Sequence, residues 1–403
     1  MHQKIAVIGG GAAGFFAAFS CKEHYPQAEV TIFEKTSKLL AKVKISGGGR
    51  CNVTHACFNN NDLVKFYPRG GKQLKKVFSQ FTTTDTINWF EARGVELKTE
   101  SDNRMFPVSD NSQTIIDCFL KEAHKLSIDI RMQSLVKSIS LKERGFELEI
   151  GSDTTFFDKV IVAAGGSPKS QGFDWLKNLG HEIVAPVPSL FTFNMPKEKV
   201  KDLMGLSVPN AMVKVQGTKL QQLGPLLITH WGMSGPAILK SSAWGARVLA
   251  VLNYDFKIQV NWLGEKNEED LRTWFLSTLP TLAKRKIRNK NPMELPNRLW
   301  DFFLYKIEID GEMIWAELSK KSLNRLINLL VNDTYDVKGK TTFKEEFVTS
   351  GGIALSDIDF NTMESRRCPG LFFAGEVIDV DGVTGGFNFQ AAWSTGYVSG
   401  RTM

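Results

Sequence analysis

Lys4-Ile5-Ala6-Val7-Ile8-Gly9-Gly10-Gly11-Ala12-Ala13-Gly14-Phe15-Phe16-Ala17-Ala18-Phe19-Ser20-Cys21 decides how the chain is read. Lys4 to Ile8 is a short apolar run rich in β-branched residues, as expected of a buried parallel strand. A glycine cluster follows, and Phe15 to Cys21 reads as a helix of small and aromatic residues. Ala28 to Phe33 is a second strand, closed by Glu34, so residues 1–35 form a strand–helix–strand unit. Gly9, Gly11 and Gly14 spell G-x-G-x-x-G, with Glu34 twenty residues beyond Gly14. The first glycine permits a tight turn, the second lets a pyrophosphate approach the backbone, and the third lets helix and strand pack closely. The phosphates then meet the N–H groups and positive dipole end of the helix, around Ala12 and Ala13. Glu34, followed by Lys35, would accept hydrogen bonds from ribose hydroxyls and repel a 2′-phosphate. This favours FAD or NAD over NADP.

The rest of the chain is compatible with that start. Its 403 residues are 42% hydrophobic, 23% charged and 11% aromatic, with 34 glycines and 14 prolines. Such a composition excludes disordered, collagen-like and low-complexity proteins, and the length suggests about two or three domains. A formal charge of +7, from 50 Lys+Arg against 43 Asp+Glu, permits anionic ligands without marking a nucleic-acid binder. No run of about 18 apolar residues exists to span a membrane, and the N-terminus lacks the n-region and cleavage site of a secretory signal. Cys21, Cys51, Cys57, Cys118 and Cys368 are few and scattered, without a Cys-x-x-Cys pair. A reducing cytoplasm is therefore expected, and zinc ribbons and redox dithiols are not. The six scattered histidines predict no metal site, and nothing in the sequence sets an oligomeric state.

Strand patterns recur at Ile128–Met132, Val136–Ser140, Phe146–Ile150 and Lys159–Ala164, with Gly145 breaking a hairpin. Near Pro186-Val187-Pro188 the character changes. A β-rich module is expected over 189–264, then a helical insert over 265–332 in which Leu271, Trp274, Phe275 and Leu279 share one face. Leu323, Leu326, Ile327 and Leu330 mark a later helix of the same kind. The chain returns to the β module over 333–344. It closes the first domain, begun over 1–188, with 345–403.

That closing segment separates FAD from NAD. The strand Leu371–Ala374 ends at Gly375-Glu376, placing a carboxylate at the carboxyl end of a buried strand, where α/β ligands bind. Asp379-Val380-Asp381-Gly382-Val383-Thr384-Gly385-Gly386 follows and feeds the helix Phe387-Asn388-Phe389-Gln390-Ala391-Ala392-Trp393. A helix start aimed at the N1/C2 edge of a flavin would stabilise its anionic reduced ring; an NAD site has no need of it. A tight turn before a packed helix is the alternative reading. Ser46-Gly47-Gly48-Gly49-Arg50-Cys51-Asn52 is a third glycine cluster, flanked by Lys42 and Lys44. It is either an anion-binding nest charged by Arg50 or a surface loop.

These blocks, together with Thr229-His230-Trp231-Gly232-Met233-Ser234-Gly235-Pro236, Val348-Thr349-Ser350-Gly351-Gly352-Ile353 and Thr362-Met363-Glu364-Ser365, resemble the signature blocks of the BaiN/YhiN-like FAD-dependent oxidoreductases. That family also includes aminoacetone oxidase-like enzymes. The blocks occur in order over almost the whole chain. The resemblance implies an α/β fold: a glutathione-reductase-type FAD-binding Rossmann domain interrupted by a β-barrel-like module and a helical insert. It also implies that Glu34 binds the adenosine ribose and that the Val136 backbone contacts adenine. Ala164-Gly165-Gly166 would form a second FAD turn, Glu376 would face the ribityl–phosphate region, and Asn388, Phe389 and Gln390 would lie near the ring. Arg104-Met105-Phe106-Pro107 resembles a further family block.

For chemistry beyond the flavin's own, His230 is the acid/base candidate, against a turn-ordering role. Cys51 reads as a thiolate beside Arg50 or as a small buried hydrophobe. Arg50 reads as a ligand for an acidic substrate or flavin carbonyl, or as a solvent-facing side chain. Lys284-Arg285-Lys286-Ile287-Arg288-Asn289-Lys290 lacks interleaved aromatics and reads as a solvated face, so a nucleic-acid partner is not expected. The leading expectation is an FAD-dependent oxidoreductase moving hydride to or from flavin N5 on a small organic substrate, as an NAD(P)H-linked reductase or an amine oxidase. A flavin-dependent RNA-modifying enzyme and a flavin-binding sensor are the competitors. With no second complete G-x-G-x-x-G module, NAD(P)H as electron donor would dock transiently.

Overall fold

Five short parallel strands, apolar except for the edge strand Asp129–Arg131, form the floor of the first unit. The computed structural model describes residues 3–341 and 348–403, so the expected boundary at 344/345 lies outside the described residues. The chain divides into two units, Met1–Ser189 with Phe343–Met403, and Leu190–Thr342.

In the first unit, a seven-stranded sheet runs in the order Ile358–Asp359, Glu364–Ser365, Leu371–Phe373, Lys159–Val162, Lys4–Ile8, Glu29–Phe33, Asp129–Arg131. The last five are parallel, with Val7 opposite Ile32 on one side and Ile161 on the other, and Ile161 opposite Phe372. Parallel pairing of buried strands aligns their carboxyl ends on one edge, the edge at which α/β folds bind ligands.

The first helix, Ala12–His24, extends past both ends of the small-and-aromatic stretch and is covered by the last helix, Phe387–Arg401. A Cβ on Gly396 would stand 2.6 Å from the Ala13 carbonyl oxygen, and one on Gly400 2.2 Å from that of Ala17. The two helices therefore meet backbone to backbone. Ser20 Oγ donates to the Tyr397 carbonyl across the same seam at 2.7 Å. Below it, Phe16 lies 4.7 Å from Trp89 and 4.9 Å from Trp393, ring centre to ring centre.

The hairpin expected around Gly145 gains a third strand. Val136–Lys142, Gly145–Ile150 and Asp153–Phe157 form an antiparallel sheet in which Gly145 begins a strand instead of breaking one. The stretch between Asn52 and Ser127 holds helices Thr83–Glu91 and Ser112–Lys125 and a small sheet of Thr54–His55, Arg104–Pro107 and Leu97–Thr99. Its helix starts carry ordinary signals: a Thr82/Asp85 capping box and an Asn111 side chain accepting from the Gln113 amide.

The second unit is built on an antiparallel seven-stranded sheet. Its order is Asp333–Lys338, Asp255–Asn261, Ser207–Val215, Gln221–Thr229, Gly232–Ser234, Thr192–Asn194, Lys340–Thr341. The two edge strands are neighbours in sequence, joined by Gly339. The Gly339 carbonyl accepts from the Asn194 amide (3.1 Å), while its own amide donates to the Tyr254 carbonyl (2.8 Å). The sheet thus curls back on itself in a barrel-like form. Residues 189–264 are not wholly β: the helix Pro236–Val251 lies among them. Its start follows from proline, whose fixed φ and missing N–H suit the first helical turn. Helices Glu268–Leu282, Asn297–Lys306 and Lys320–Asn332 complete the unit. They bury Leu271, Phe275, Trp300, Leu326, Ile327 and Leu330 against a core that includes Trp262 and Trp315. No described helix is long and apolar enough to cross a membrane.

Candidate functional site

At the end of the first strand the chain turns through Gly9, whose φ of +117° excludes side chains and whose Cβ would stand 2.3 Å from the Ala163 carbonyl oxygen. Gly14, one helical turn on, would carry its Cβ 1.9 Å from the Gly9 carbonyl oxygen. These two glycines let the helix start sit directly on the strand ends. Between them, Gly11 caps the helix without any side-chain hydrogen bond, and a Cβ there would meet nothing within 4 Å. The first intrahelical donor is the Phe15 amide, so the amides of Ala12, Ala13 and Gly14 precede the hydrogen-bond ladder. The cradle fits a phosphate.

Glu34 stands beside this start. Its Oε2 accepts from the Gly10 amide at 2.9 Å, and its Oε1 from the Thr36 amide and hydroxyl at 2.8 Å. The carboxylate is held rigid with lone pairs left for a ligand hydroxyl. Lys35 is exposed. Val136 is buried at the start of its strand, and the Ser134 amide donates to the Glu34 carbonyl at 2.8 Å. The Val136 segment therefore passes alongside Glu34.

The next strand ends at Val162 and leads to Ala164-Gly165-Gly166, where Gly165 has a φ of +76° and open space around it. A Cβ on Gly166 would meet Thr349 Oγ1 at 2.5 Å and Glu376 Oε1 at 2.8 Å. Glu376 accepts from the Thr349 amide (2.8 Å) and pairs with Lys42 (2.5 Å). Gly375, on the strand side of Glu376, would carry its Cβ 2.7 Å from that of Ala13. Both halves of the sequence therefore converge on the first helix start. Thr349 is fully buried, and its Oγ1 has no partner among the described residues. Such an orphaned hydroxyl implies a ligand or water in place.

The second helix start belongs to Phe387–Arg401. Gly385 and Gly386 take φ of +126° and +93°, and no side chain caps the helix. Gln390 is the first intrahelical donor, leaving the amides of Phe387, Asn388 and Phe389 ahead of the ladder. The loop before them is laced to residues 52–69. Arg69 pairs with the fully buried Asp381, which also accepts from Ser189 Oγ at 2.7 Å. Burial pushes the Asp381 carboxyl up, and the Arg69 guanidinium pulls it back. The Val383 amide donates to the Phe66 carbonyl (2.9 Å), and Tyr67 donates its hydroxyl proton to the Phe387 carbonyl (2.6 Å). Phe387 stacks on Phe66 at 4.3 Å, with the His55 ring 4.5 Å away.

Several residues expected at the cofactor have other work. The Asp381 carboxylate is taken up by Arg69 and Ser189. Gln390 is fully buried: its Oε1 accepts from Thr54 (2.6 Å) and Thr86 (3.1 Å), and its Nε2 donates to Ser394 (2.9 Å). Asn388 pairs both ways with the Gly382 backbone, at 2.8 and 2.9 Å, and Phe389 stacks on Trp393 at 5.3 Å. What this helix offers is its backbone start.

The Gly47-Gly48-Gly49 cluster ends the helical run Ala41–Gly49, which breaks at Ser46; Gly47 and Gly48 are left-handed, with φ of +60° and +70°. Open space surrounds Gly48 and Gly49, while Gly47 sits against Phe106. Arg50 does not charge a nest. Its Nη1 donates to Glu100 (2.6 Å) and Asp110 (3.4 Å), and the guanidinium stacks on Phe106 at 4.0 Å. Cys51 is fully buried and its thiol is pushed up to about 12 by desolvation. A thiolate role is therefore corrected to packing. The Asn52 amide is consumed internally: turned so that each end meets a complementary group, its nitrogen donates to the Thr54 carbonyl and its oxygen accepts from the Gly386 amide, both at 3.0 Å.

His230 belongs to the second unit, exposed on the turn between Gln221–Thr229 and Gly232–Ser234, with its ring 3.6 Å from that of Trp231. The basic run there is partly neutralised. Lys286 pairs with Glu312, Arg288 with Asp301 and Glu312, and Ile287 is buried. No group of residues able to hold a metal ion occurs among the described residues.

Sequence reasoning missed His55, Arg69 and Thr349 as members of this neighbourhood. Thr349 lay in a block already singled out. Arg69 follows Phe66-Tyr67-Pro68 and His55 follows Val53-Thr54, mixed stretches that carried no local signal.

Residues 3–402 match a family model described as HI0933-like protein Rossmann domain. The ribosomal RNA dihydrouridine synthase of Escherichia coli is 28% identical, over 98% of this chain and 97% of its own length. The 3-dehydro-bile acid delta(4,6)-reductase of Clostridium scindens is 26% identical, over 99% and 98% respectively. The solved 3-ketosteroid-delta4-(5alpha)-dehydrogenase of Rhodococcus jostii is similar in fold, with a TM-score of 0.51 at 12% identity, covering 99% of this chain and 96% of that one.

Proposed function

This chain belongs to the HI0933-like family, the BaiN/YhiN-type FAD-dependent oxidoreductases, and on that premise we propose that it reduces a carbon–carbon double bond conjugated to a carbonyl. The observation that carries the site is the pair of helix starts, far apart in sequence and within one unit, neither capped by a side chain and each with three amides ahead of its hydrogen-bond ladder. The choice of reaction is supported by the relatives. One is named for making dihydrouridine and the other for reducing a dienone, and both changes saturate a double bond polarised by a carbonyl.

The residues divide the work. Amides around Ala12 and Ala13 hold the diphosphate, with Glu34 accepting from ribose hydroxyls. Thr349 and Glu376 offer a hydroxyl and a carboxylate to the polar chain between phosphate and ring, and Lys42 balances that carboxylate. The amides of Phe387, Asn388 and Phe389 present the positive end of a dipole to the ring edge that gains negative charge on reduction. Bound FAD supplies the hydride chemistry itself. NAD(P)H, docking transiently, is the proposed source of electrons.

For the substrate, the observation that adds a polyanion to the small conjugated ketone is the distribution of charge. Residues 190–342 hold 22 of the 50 Lys+Arg and 15 of the 43 Asp+Glu, so this unit carries the whole formal +7 while the flavin unit is neutral. A positive field on one unit draws in a phosphodiester chain, which makes a uracil base in RNA the second substrate reading beside a small conjugated ketone.

The test is anaerobic. The purified protein should be yellow, with one FAD per chain, and should bleach with NADH or NADPH. It should then regain colour with an enone or with a uridine-containing transcript. Colourless protein that takes up no FAD overturns the reading. Bound flavin reoxidised only by oxygen and an amine cycle replaces the reductase with an oxidase.

A further inference from the structure

We propose that Asn52 and His55 act as a clamp on the single peptide group between Gly385 and Gly386, and are positioning residues for the second helix start. The inference rests on the flavin reading above and goes beyond it.

A peptide group has two polar ends, and here both are held by one short segment. His55 Nδ1 lies 3.0 Å from the Gly385 carbonyl oxygen. A carbonyl can only accept, so Nδ1 carries the proton. An N–H can only donate, which turns the Asn52 amide so that its oxygen faces the Gly386 N–H and accepts from it at 3.0 Å. The segment bearing both side chains is itself fixed: Thr54 and His55 pair with Met105 and Arg104, and Thr54 Oγ1 donates to Gln390 at 2.6 Å. A Cβ on Gly386 would stand 2.6 Å from the Thr54 carbonyl carbon and oxygen, so the two backbones touch.

The clamp answers a specific weakness. A peptide between two glycines, at φ of +126° and +93°, has no side chain on either flank to oppose rotation of its plane, and glycine populates both signs of φ readily. Rotation would reverse the local dipole directly ahead of the amides of Phe387, Asn388 and Phe389. With the peptide fixed, those amides keep one direction before any ligand arrives, and electrostatic stabilisation depends on that preorganisation. The His55 ring is held in turn by tilted contacts with Phe387 at 4.5 Å and Phe66 at 5.7 Å.

The test uses the FAD-loaded full chain. His55→Phe keeps an aromatic ring in the stack and removes only the donor, whereas His55→Asn restores a donor of similar reach. The readouts are FAD stoichiometry and the two-electron midpoint potential, measured against a reference dye. His55→Phe should bind FAD but favour the reduced cofactor roughly tenfold less, a potential about 30 mV more negative; His55→Asn should stay at the wild-type potential. Asn52→Leu, which removes the other end of the clamp at similar volume, should shift the potential in the same direction. It should also speed hydrogen exchange of the Gly386 amide, and its effect should not add to that of His55→Phe, because both hold one peptide. Equal potentials in wild type, His55→Phe and Asn52→Leu, all with FAD bound, overturn the clamp alone. A wild type that binds no FAD overturns the flavin reading and the clamp with it.

Discussion

The two helix starts do comparable work and are held in different ways. At Gly11 the start is set by what is missing: Gly9 and Gly14 let backbone lie on backbone, and no side chain is needed. At Gly386 the start is set by what is added: Arg69 on Asp381, Ser189 beside them, and Asn52, His55 and Tyr67 on the loop and first turn. One start is steric and local, the other polar and assembled from a segment more than three hundred residues away in sequence. A steric start tolerates no added atom. A polar start loses its hold one contact at a time.

The largest effect should come from breaking the steric start. Gly14→Val places carbon atoms inside the Gly9 carbonyl, 1.9 Å from the Cβ position, and should cost more than about 4 kcal/mol. Loss of soluble, FAD-loaded protein on expression checks it. Next comes the polar start. Arg69→Met leaves Asp381 buried without its cation and should cost about 3–5 kcal/mol in urea unfolding. Arg69→Met with Asp381→Leu should recover most of that, because a well-packed apolar pair replaces a buried ionic one.

A smaller, pH-dependent effect sharpens the comparison on the strand that feeds the second start. His181 packs edge-on against Phe373, 5.0 Å away, and its Nε2 lies 2.8 Å from Ser365 Oγ. Burial lowers its pKa below 6.5. The unfolded chain therefore binds the extra proton first, and its contribution to stability is complete above pH 6.5 and declines as pH falls through the lowered folded value. His181→Gln should flatten that part of the pH–stability curve measured by denaturant titration. Least of all should happen at Cys51. With its thiol at about 12 and no exposed surface, the native protein should resist iodoacetamide at that residue, and Cys51→Ala should keep turnover within about twofold.

What could be read from the sequence follows the same division. Gly9, Gly11, Gly14 and Glu34 were legible because strand, turn and helix are consecutive and the constraint is steric. The inner parallel strands Lys4–Ile8, Lys159–Val162 and Leu371–Phe373 were legible because burial on both faces removes the polar alternation. The β-rich reading of 189–264 missed Pro236–Val251, whose small and mixed residues Ser241, Ser242 and Gly245 blur a helical stripe. Asp381, Asn388 and Gln390 were expected at the cofactor, and the protein partners of their side chains, Arg69, Gly382 and Thr54, were not foreseen because they are chosen by tertiary approach. Polar residues in a glycine-rich loop look alike until the opposing chain is in place.

The seam between the first and last helices, where Gly396 and Gly400 lie on Ala13 and Ala17, has a consequence for biosynthesis. A ribosome delivers Ala12–His24 several hundred residues before Phe387–Arg401, so the early helix must wait, with Phe16 and its neighbours uncovered, while the intervening module emerges. Nascent chains stalled before residue 387 should be captured by chaperones and should stay colourless, and pigment should appear only once Phe387–Arg401 has emerged.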